Sequence, residues 1–221
     1  MKTMKLAACA ALLLAAPALA SPGGQVCHDV TLSSLRTNWN TAVTIPKFDP
    51  TVGDLVRVRW RIIGQVSGSA SFESLDAASA TITTSLSASI ALTRPDTSLL
   101  SVAIPVVNNS DSVTAYDGVI DFGGTSGKTY AGLAGSALAT SSSAAAADLA
   151  LFTAAAPGDT ISLPVSAMGM SSGSGARNLL LLFETFASAS VRVCYEYTFI
   201  PAPSAMGLLA VGGLAATRRR R

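Results

Sequence analysis

Apolar and polar residues alternate along several segments of this chain, the pattern of β-strands with one buried face. The clearest segment is 56–62, where Val56, Val58, Trp60 and Ile62 alternate with arginines. Comparable segments predict further strands at 26–32, 80–92, 98–107, 160–168, 179–186 and 191–199. In the last of these, Val191, Val193, Tyr195, Tyr197 and Phe199 are expected to face inward. The pattern therefore predicts an all-β fold.

Two other segments depart from simple alternation. Four consecutive leucines at 179–182 predict a strand that is covered on both faces. An alanine-rich run predicts one short helix at 144–152. Turns rich in Gly, Ser, Asn and Asp separate the segments, and neither a long repeat nor a dividing linker is found. We expect one antiparallel β-sandwich, with jelly-roll and immunoglobulin-like topologies both open.

The beginning of the chain reads as a secretory signal peptide. Lys2 and Lys5 precede an apolar run, and small residues at Ala18 and Ala20 predict cleavage after residue 20. A lipidated Cys9 is the alternative, but the apolar run follows this cysteine instead of preceding it.

The end of the chain combines prolines, an apolar run and arginines. Pro201 and Pro203 favour an extended backbone, and the apolar run 205–216 would form a helix of roughly 18 Å. A hydrocarbon core is about 30 Å thick, so this helix is short for a permanent membrane span. Four consecutive basic residues would then stay cytoplasmic and stop translocation: Arg218, Arg219, Arg220 and Arg221. A buried core helix or a nucleic-acid-binding tail are the alternatives.

This tail resembles the PEP-CTERM sorting signal, with Ala202 between the two prolines where the family usually has glutamate. The resemblance implies that residues 200–221 associate transiently with the inner membrane. It also implies that an exosortase-type membrane protease cuts near Pro201–Pro203 and passes the protein to the cell surface or extracellular matrix.

The body of the chain, residues 21–199, resembles the choice-of-anchor E domain. Three stretches carry the resemblance, at 45–55, 148–153 and 160–175. Such domains occur with different C-terminal anchoring signals. The resemblance implies a β-sandwich fold and indicates no activity.

Removal of the terminal segments changes the charge of the protein. The full chain is formally +2, but Lys2, Lys5 and Arg218–Arg221 hold six of its positive charges. Residues 21–199 keep nine basic and 13 acidic residues, a net charge of −4. This balance gives no electrostatic basis for binding nucleic acid.

Cys27 and Cys194 are the cysteines left after signal cleavage. In an oxidising compartment they predict a disulfide between the first and last strands. Period-two alternation places Cys194 on the opposite face from Val193 and Tyr195, so we expect the bond at the surface. Free structural thiols are the alternative. A catalytic thiol is disfavoured because His28, the only histidine, follows Cys27 directly.

The loop predicted at 108–127 is a candidate calcium site, since Asp111, Asp117 and Asp121 supply the hard oxygen ligands that calcium prefers. The spacing does not match an EF-hand. The alternative is that these side chains stabilise turns by accepting hydrogen bonds from nearby backbone.

A row of arginines, Arg57, Arg59 and Arg61, could bind the carboxylates of an acidic polysaccharide, or could be a solvated face. The aromatic residues that could stack on sugars are Trp39, Trp60, Tyr116 and Tyr130; Trp60 is expected in the core and Trp39 to be freer.

The acids Glu73, Glu184 and Glu196 are scattered, and no catalytic arrangement or cofactor motif is found. We therefore expect a non-enzymatic exported surface or matrix protein without a cofactor. The alternatives are a carbohydrate-binding module of the extracellular polysaccharide and, third, a secreted hydrolase.

Overall fold

The computed structural model describes residues 23–199, which fold as one unit of ten strands and a short helix. The strands are β1 (Gly23–Arg36), β2 (Trp39–Pro46), β3 (Asp54–Ser74), β4 (Ala80–Thr93), β5 (Leu99–Ala103), β6 (Val106–Val113), β7 (Gly127–Ser143), β8 (Thr160–Gly169), β9 (Ser172–Ser174) and β10 (Leu179–Thr198), and the helix is α1 (Ala146–Phe152).

Both predicted terminal segments lie outside the described residues. At the beginning of the chain these are the signal peptide, residues 1–20, and Cys9 within it. At the end they are the proline motif with Pro201, Ala202 and Pro203, the apolar run 205–216, and the predicted stop-transfer residues Arg218, Arg219, Arg220 and Arg221. The sorting signal, its apolar helix and its arginine cluster therefore stay predictions.

The strands form two antiparallel sheets. The four-stranded sheet has the order β1-β10-β3-β7, and the six-stranded sheet is built on the order β2-β8-β4-β5, with β6 and β9 also paired to β4. Strand β4 is shared along its length: its first half pairs with β6 and β9, and its second half with β5 and β8. Pro105 lacks a backbone N–H and lies between β5 and β6, so the chain that pairs with β4 is interrupted at this point.

The core lies between the two sheets, because alternate residues of both point inward. Strands β3 and β10 contribute Ile62 and Val191, while β2, β4 and β8 contribute Ile45, Ile90 and Leu163, all fully buried or nearly so. Gly64 of β3 allows close approach of the sheets, since a Cβ there would lie 2.8 Å from Ile90 Cδ1. The all-β antiparallel prediction is confirmed, and the arrangement is consistent with a β-sandwich.

The central feature of the four-stranded sheet is the pairing of its two longest strands. Strand β10 pairs antiparallel with β3 from Leu179↔Ser74 to Thr198↔Asp54, so the two strands predicted at 179–186 and 191–199 are one. On its other side, β10 pairs with β1 and places Cys194 directly opposite Cys27. These cysteines form the predicted disulfide; Cys27 is exposed as expected, whereas Cys194 is buried at 8% exposure and lines a depression on the outer face of the sheet.

The leucine run contradicts the prediction that both of its faces are covered. Leu180, Leu181 and Leu182 are 37%, 37% and 53% exposed. The pairing of β1 with β10 ends at Arg36↔Phe186, which leaves the leucine end of β10 without this neighbour. Side chains at 180 and 182 then alternate onto the outer face of the sheet, away from the core.

Two residues expected to face inward do not. Val56 is 43% exposed because Glu196 and Tyr197 of β10 pair with Arg57 and Leu55, which leaves Val56 as the extra residue of a β-bulge. Phe199 is 43% exposed and follows the end of β10.

Helix α1 begins at Ala146, two residues later than predicted, and is held by an ion pair. Arg94 donates from Nε and Nη2 to the two carboxylate oxygens of Asp148, at 2.7 and 2.9 Å. The same guanidinium lies over the ring of Trp60, which packs against Phe152 of the helix. No helix within residues 23–199 has the length and apolar character needed to cross a membrane.

Replacing both cysteines, Cys27→Ala/Cys194→Ala, should leave a folded protein that melts earlier. The bond closes a loop of 167 residues, and the loop-entropy model gives roughly 5 kcal/mol as the upper limit of its contribution to the free energy of unfolding. We expect its loss to lower this free energy by a few kcal/mol. Thermal unfolding measured with and without a reductant checks this, because reductant should lower the midpoint of the native protein alone. A double variant that fails to fold would contradict the surface position of the bond.

Replacing Asp148 by Asn should destabilise the domain by about 3 kcal/mol at neutral pH, because it leaves the partly buried Arg94 without its carboxylate. The hydrogen bonds from Arg94 lower the pKa of Asp148. Its contribution is therefore present above the ordinary carboxyl pKa of about 4 and is lost as the pH falls below it. The stability difference between the native protein and Asp148→Asn should shrink in acid. Asp54→Asn, at an exposed carboxyl, is the control and should show little effect at either pH.

Candidate functional site

The outer side of the four-stranded sheet carries a group of arginines, which we name the arginine face: Arg57, Arg59, Arg61 and Arg192. The first three point outward because the alternate residues Val58 and Trp60 are buried in the core. Arg192 joins them from β10, where the register places it directly opposite Arg61. The row predicted from β3 alone is therefore two strands wide.

Two carboxylates pair with arginines of this face. Glu196 contacts Arg59 and lies 3.8 Å from the Nε of Arg57. Asp29 of β1 accepts two hydrogen bonds from Arg192, at 2.6 and 3.0 Å. The hydrogen bond from Arg192 is the main cause that lowers the pKa of Asp29, so this carboxylate stays ionised at neutral pH.

Arg61 makes no ion pair with any residue of 23–199, while each of the other three arginines has a carboxylate partner. Its neighbour across the strand pair is Arg192, and like charges placed directly opposite in a sheet repel each other. Arg61 lies at an open depression of about 360 Å³, which Arg59, Arg192 and the hydroxyls of Thr140 and Ser142 also line.

Period-two alternation puts Arg192 and Glu196 on the opposite face of the last strand from Val193 and Tyr195, but it does not connect them with the arginines of β3. Within each strand, the alternation of apolar and polar residues was the only local pattern that indicated which side chains face outward. The neighbour relation of β3 and β10, and the approach of Asp29 from β1, depend on pairing between distant parts of the chain.

The three acids of the candidate calcium loop have other partners. Asp111 lies in β6 and not in a loop; it pairs with Lys128 at 2.7 Å and accepts a hydrogen bond from Tyr130. Asp117 accepts from the backbone N–H of residues 119 and 125, and Asp121 from that of residue 123. Across residues 23–199, no three His, Cys, Asp or Glu side chains are grouped as a metal site. For Asp117 and Asp121 the geometry agrees with the turn-stabilising alternative, whereas Asp111 is part of an ion pair within the sheets.

One acid near this loop is fully buried. Glu73, at the end of β3, accepts a hydrogen bond of 2.6 Å from the Ser126 hydroxyl, and its other oxygen has no partner within the described part of the chain. The Ser126 oxygen in turn accepts from the backbone N–H of Asp117. Glu73 therefore holds the loop 114–126 against the sheet through Ser126.

The aromatic residues do not form an exposed platform for sugars. Trp60 is 2% exposed, as expected, whereas Trp39 is half-buried at the start of β2 with its indole nitrogen buried. Trp39 is thus more exposed than Trp60, as predicted, but it is not a freely accessible surface residue. Tyr116 and Tyr130 are also half-buried, and burial together with Asp111 raises the pKa of Tyr130 to about 12.

Comparison with family models and with curated proteins finds no match. Among solved structures, the chain is similar to infectious bursal disease virus of the Gt strain, at 12% identity and a TM-score of 0.13, over 99% of this chain and 55% of the viral chain. The Gx strain gives 11% identity and a TM-score of 0.12, over 96% of this chain and 54% of the viral chain. The chain thus spans about half the length of these proteins, and likeness this low supports no inference.

Graded substitution of Asp117 separates a turn from a calcium ligand. Asp117→Asn keeps one of the two acceptor oxygens and Asp117→Ala keeps neither, so the thermal midpoint should fall in two successive small steps. Thermal melts with calcium or with a chelator should agree for the native protein. A calcium-dependent rise of the midpoint that both variants lose would instead establish a metal site.

Proposed function

We propose that this protein is a non-enzymatic component of the bacterial cell surface or extracellular matrix, exported and then sorted through its C-terminal tail. The observation that carries the proposal is the Cys27–Cys194 disulfide, which ties the first strand to the last. Structural disulfides persist in oxidising compartments outside the cytoplasm. This agrees with the signal peptide read from residues 1–20.

The position of the tail supports sorting. Strand β10 ends at Thr198, three residues before Pro201, so cleavage at the proline motif would remove the apolar run and Arg218–Arg221 without cutting the sheet. An exosortase-type protease is the partner that this tail implies. The domain would reach its destination with its strands intact.

The properties of the domain favour a structural or binding role. Glu73 is buried, Glu184 is exposed at the leucine end of β10, and Glu196 is engaged by arginines at the other end. Acid–base catalysis by a pair of carboxylates would need two such groups to flank one substrate bond.

A second candidate function is binding of the extracellular polysaccharide. The arginine face favours it, since guanidinium groups bind carboxylates through two parallel hydrogen bonds. Without an aromatic platform, recognition would depend on charge instead of stacking.

Protein recovered from the cell surface should lack both terminal segments. Intact-mass measurement should show loss of residues 1–20 and of Arg218–Arg221, because both act on transport and lie outside the β domain. A variant that lacks residues 218–221 is the matched control: it should fold with an unchanged thermal midpoint but should be misplaced. Full-length protein retained in the inner membrane would contradict the sorting proposal.

A further inference from the structure

We propose that the arginine face binds the carboxylate groups of an acidic polysaccharide, and that Arg61 is the residue on which this binding depends most. The inference rests on the second candidate function, polysaccharide binding, and assigns it a site and a ligand class. It is independent of how the protein is exported.

The charge of the arginine face is opposite to that of the domain. Residues 21–199 carry a net charge of −4, yet this face gathers four guanidinium groups against the two carboxylates paired with them. Two positive charges therefore remain locally without compensation. A polyanion would be attracted to this face and repelled by the rest of the surface, which gives the encounter a direction.

Arg61 and Arg192, which lie directly opposite each other, define where an anion would bind on this face. Side chains directly opposite in an antiparallel pair have Cβ atoms about 5 Å apart, so Arg61 and Arg192 repel each other across the strands. Asp29 lines the same cleft as both arginines and offsets part of this repulsion, but it accepts hydrogen bonds from Nε and Nη2 of Arg192 and forms no ion pair with Arg61. A carboxylate of the ligand could therefore accept from Arg61 in a bidentate way and offset the remaining repulsion.

The surroundings of Arg61 suit a polymer of hydroxylated units. Thr140 and Ser142 of β7 pair with Arg61 and Arg59 in the register, so hydroxyl groups flank the guanidinium groups. The depression at Arg61 is open, and a second one of about 360 Å³ lies farther along the same strands, at Gln65 and Ser188. Ile63 and the exposed Leu138 lie between the two depressions, so the hydroxyl-flanked position for a carboxylate is the depression at Arg61.

Nucleic acid is the competing polyanion, and two observations disfavour it. The net charge of the domain is negative, and the described residues offer no exposed aromatic side chain on the arginine face to stack on bases. Single-stranded DNA is therefore one of the comparison polymers in the binding experiment.

The test uses the full chain in mild detergent and measures binding to polygalacturonate, with neutral dextran, dextran sulfate and single-stranded DNA as comparison polymers. The matched pair of variants is Arg61→Gln and Arg177→Gln, which remove the same charge. Arg177 is exposed in the turn before β10 and lies outside the arginine face.

We expect the native protein and Arg177→Gln to bind polygalacturonate alike and Arg61→Gln to bind about tenfold more weakly, as expected for loss of one bidentate charged contact. Neutral dextran should not bind. The thermal midpoint of Arg61→Gln should equal or exceed that of the native protein, because the substitution relieves repulsion by Arg192.

Three results would overturn the proposal. These are no binding of polygalacturonate, an equal loss in both variants, and tighter Arg61-dependent binding of dextran sulfate or DNA than of polygalacturonate. The mass measurement of surface protein tests export separately. Failure of binding with correct processing would thus refute the site alone, and retention of full-length protein with Arg61-dependent binding would refute the sorting route alone.

Discussion

The pairing of β3 with β10 is the constraint on which the rest of this structure depends. A slip of one residue between these strands would turn the apolar side chains of one strand from the core to the outer face of the sheet. With the observed register, Trp60 lies opposite Val193 in the core while Arg61 lies opposite Arg192 outside. The same register brings Cys194 to the edge facing β1, where Cys27 meets it. Core, disulfide and arginine face thus follow from one strand pair.

The strands that the sequence predicted well are those whose buried positions hold large apolar side chains. In β4, Ile82, Leu86 and Ile90 mark the inward face clearly, and all are fully buried. Strand β7 was missed because its sequence is mostly Gly, Ala, Ser and Thr, which resembles a loop in composition. It forms because β3 offers an unpaired edge and bulky side chains already fill the core, so small inward residues suffice there. The short strand β2 was missed for want of a long alternating run.

The wrong predictions have a common physical origin. Composition indicated that the leucines at 179–182 are covered on both faces, but coverage depends on which distant elements pack over β10, and Leu180 and Leu182 are 37% and 53% exposed. Local pattern likewise gave Val56 an inward position, which a bulge opposite β10 cancels. For the candidate sites, the residue types of Arg61 and Asp117 were visible in the sequence. The partners of these two side chains were not visible in the sequence. Asp117 accepts hydrogen bonds from nearby backbone N–H groups, whereas Arg61 lies opposite a second arginine on the neighbouring strand.

The distribution of charge differs between the terminal segments and the domain. The terminal segments hold six of the 15 basic residues, and the four at the C-terminus are consecutive. A cluster of this kind attracts any polyanion through simple electrostatics, with little dependence on its chemistry. The positive charge of the arginine face differs because the sheet fixes its positions, and Arg61 and Arg192 are held at one spacing. Loss of the tail would therefore remove the attraction to polyanions of any kind and leave the attraction exerted by the arginine face. On this reasoning, processing would sharpen selectivity for the polymer, because attraction to anions in general falls while the spacing that favours a carboxylate is kept.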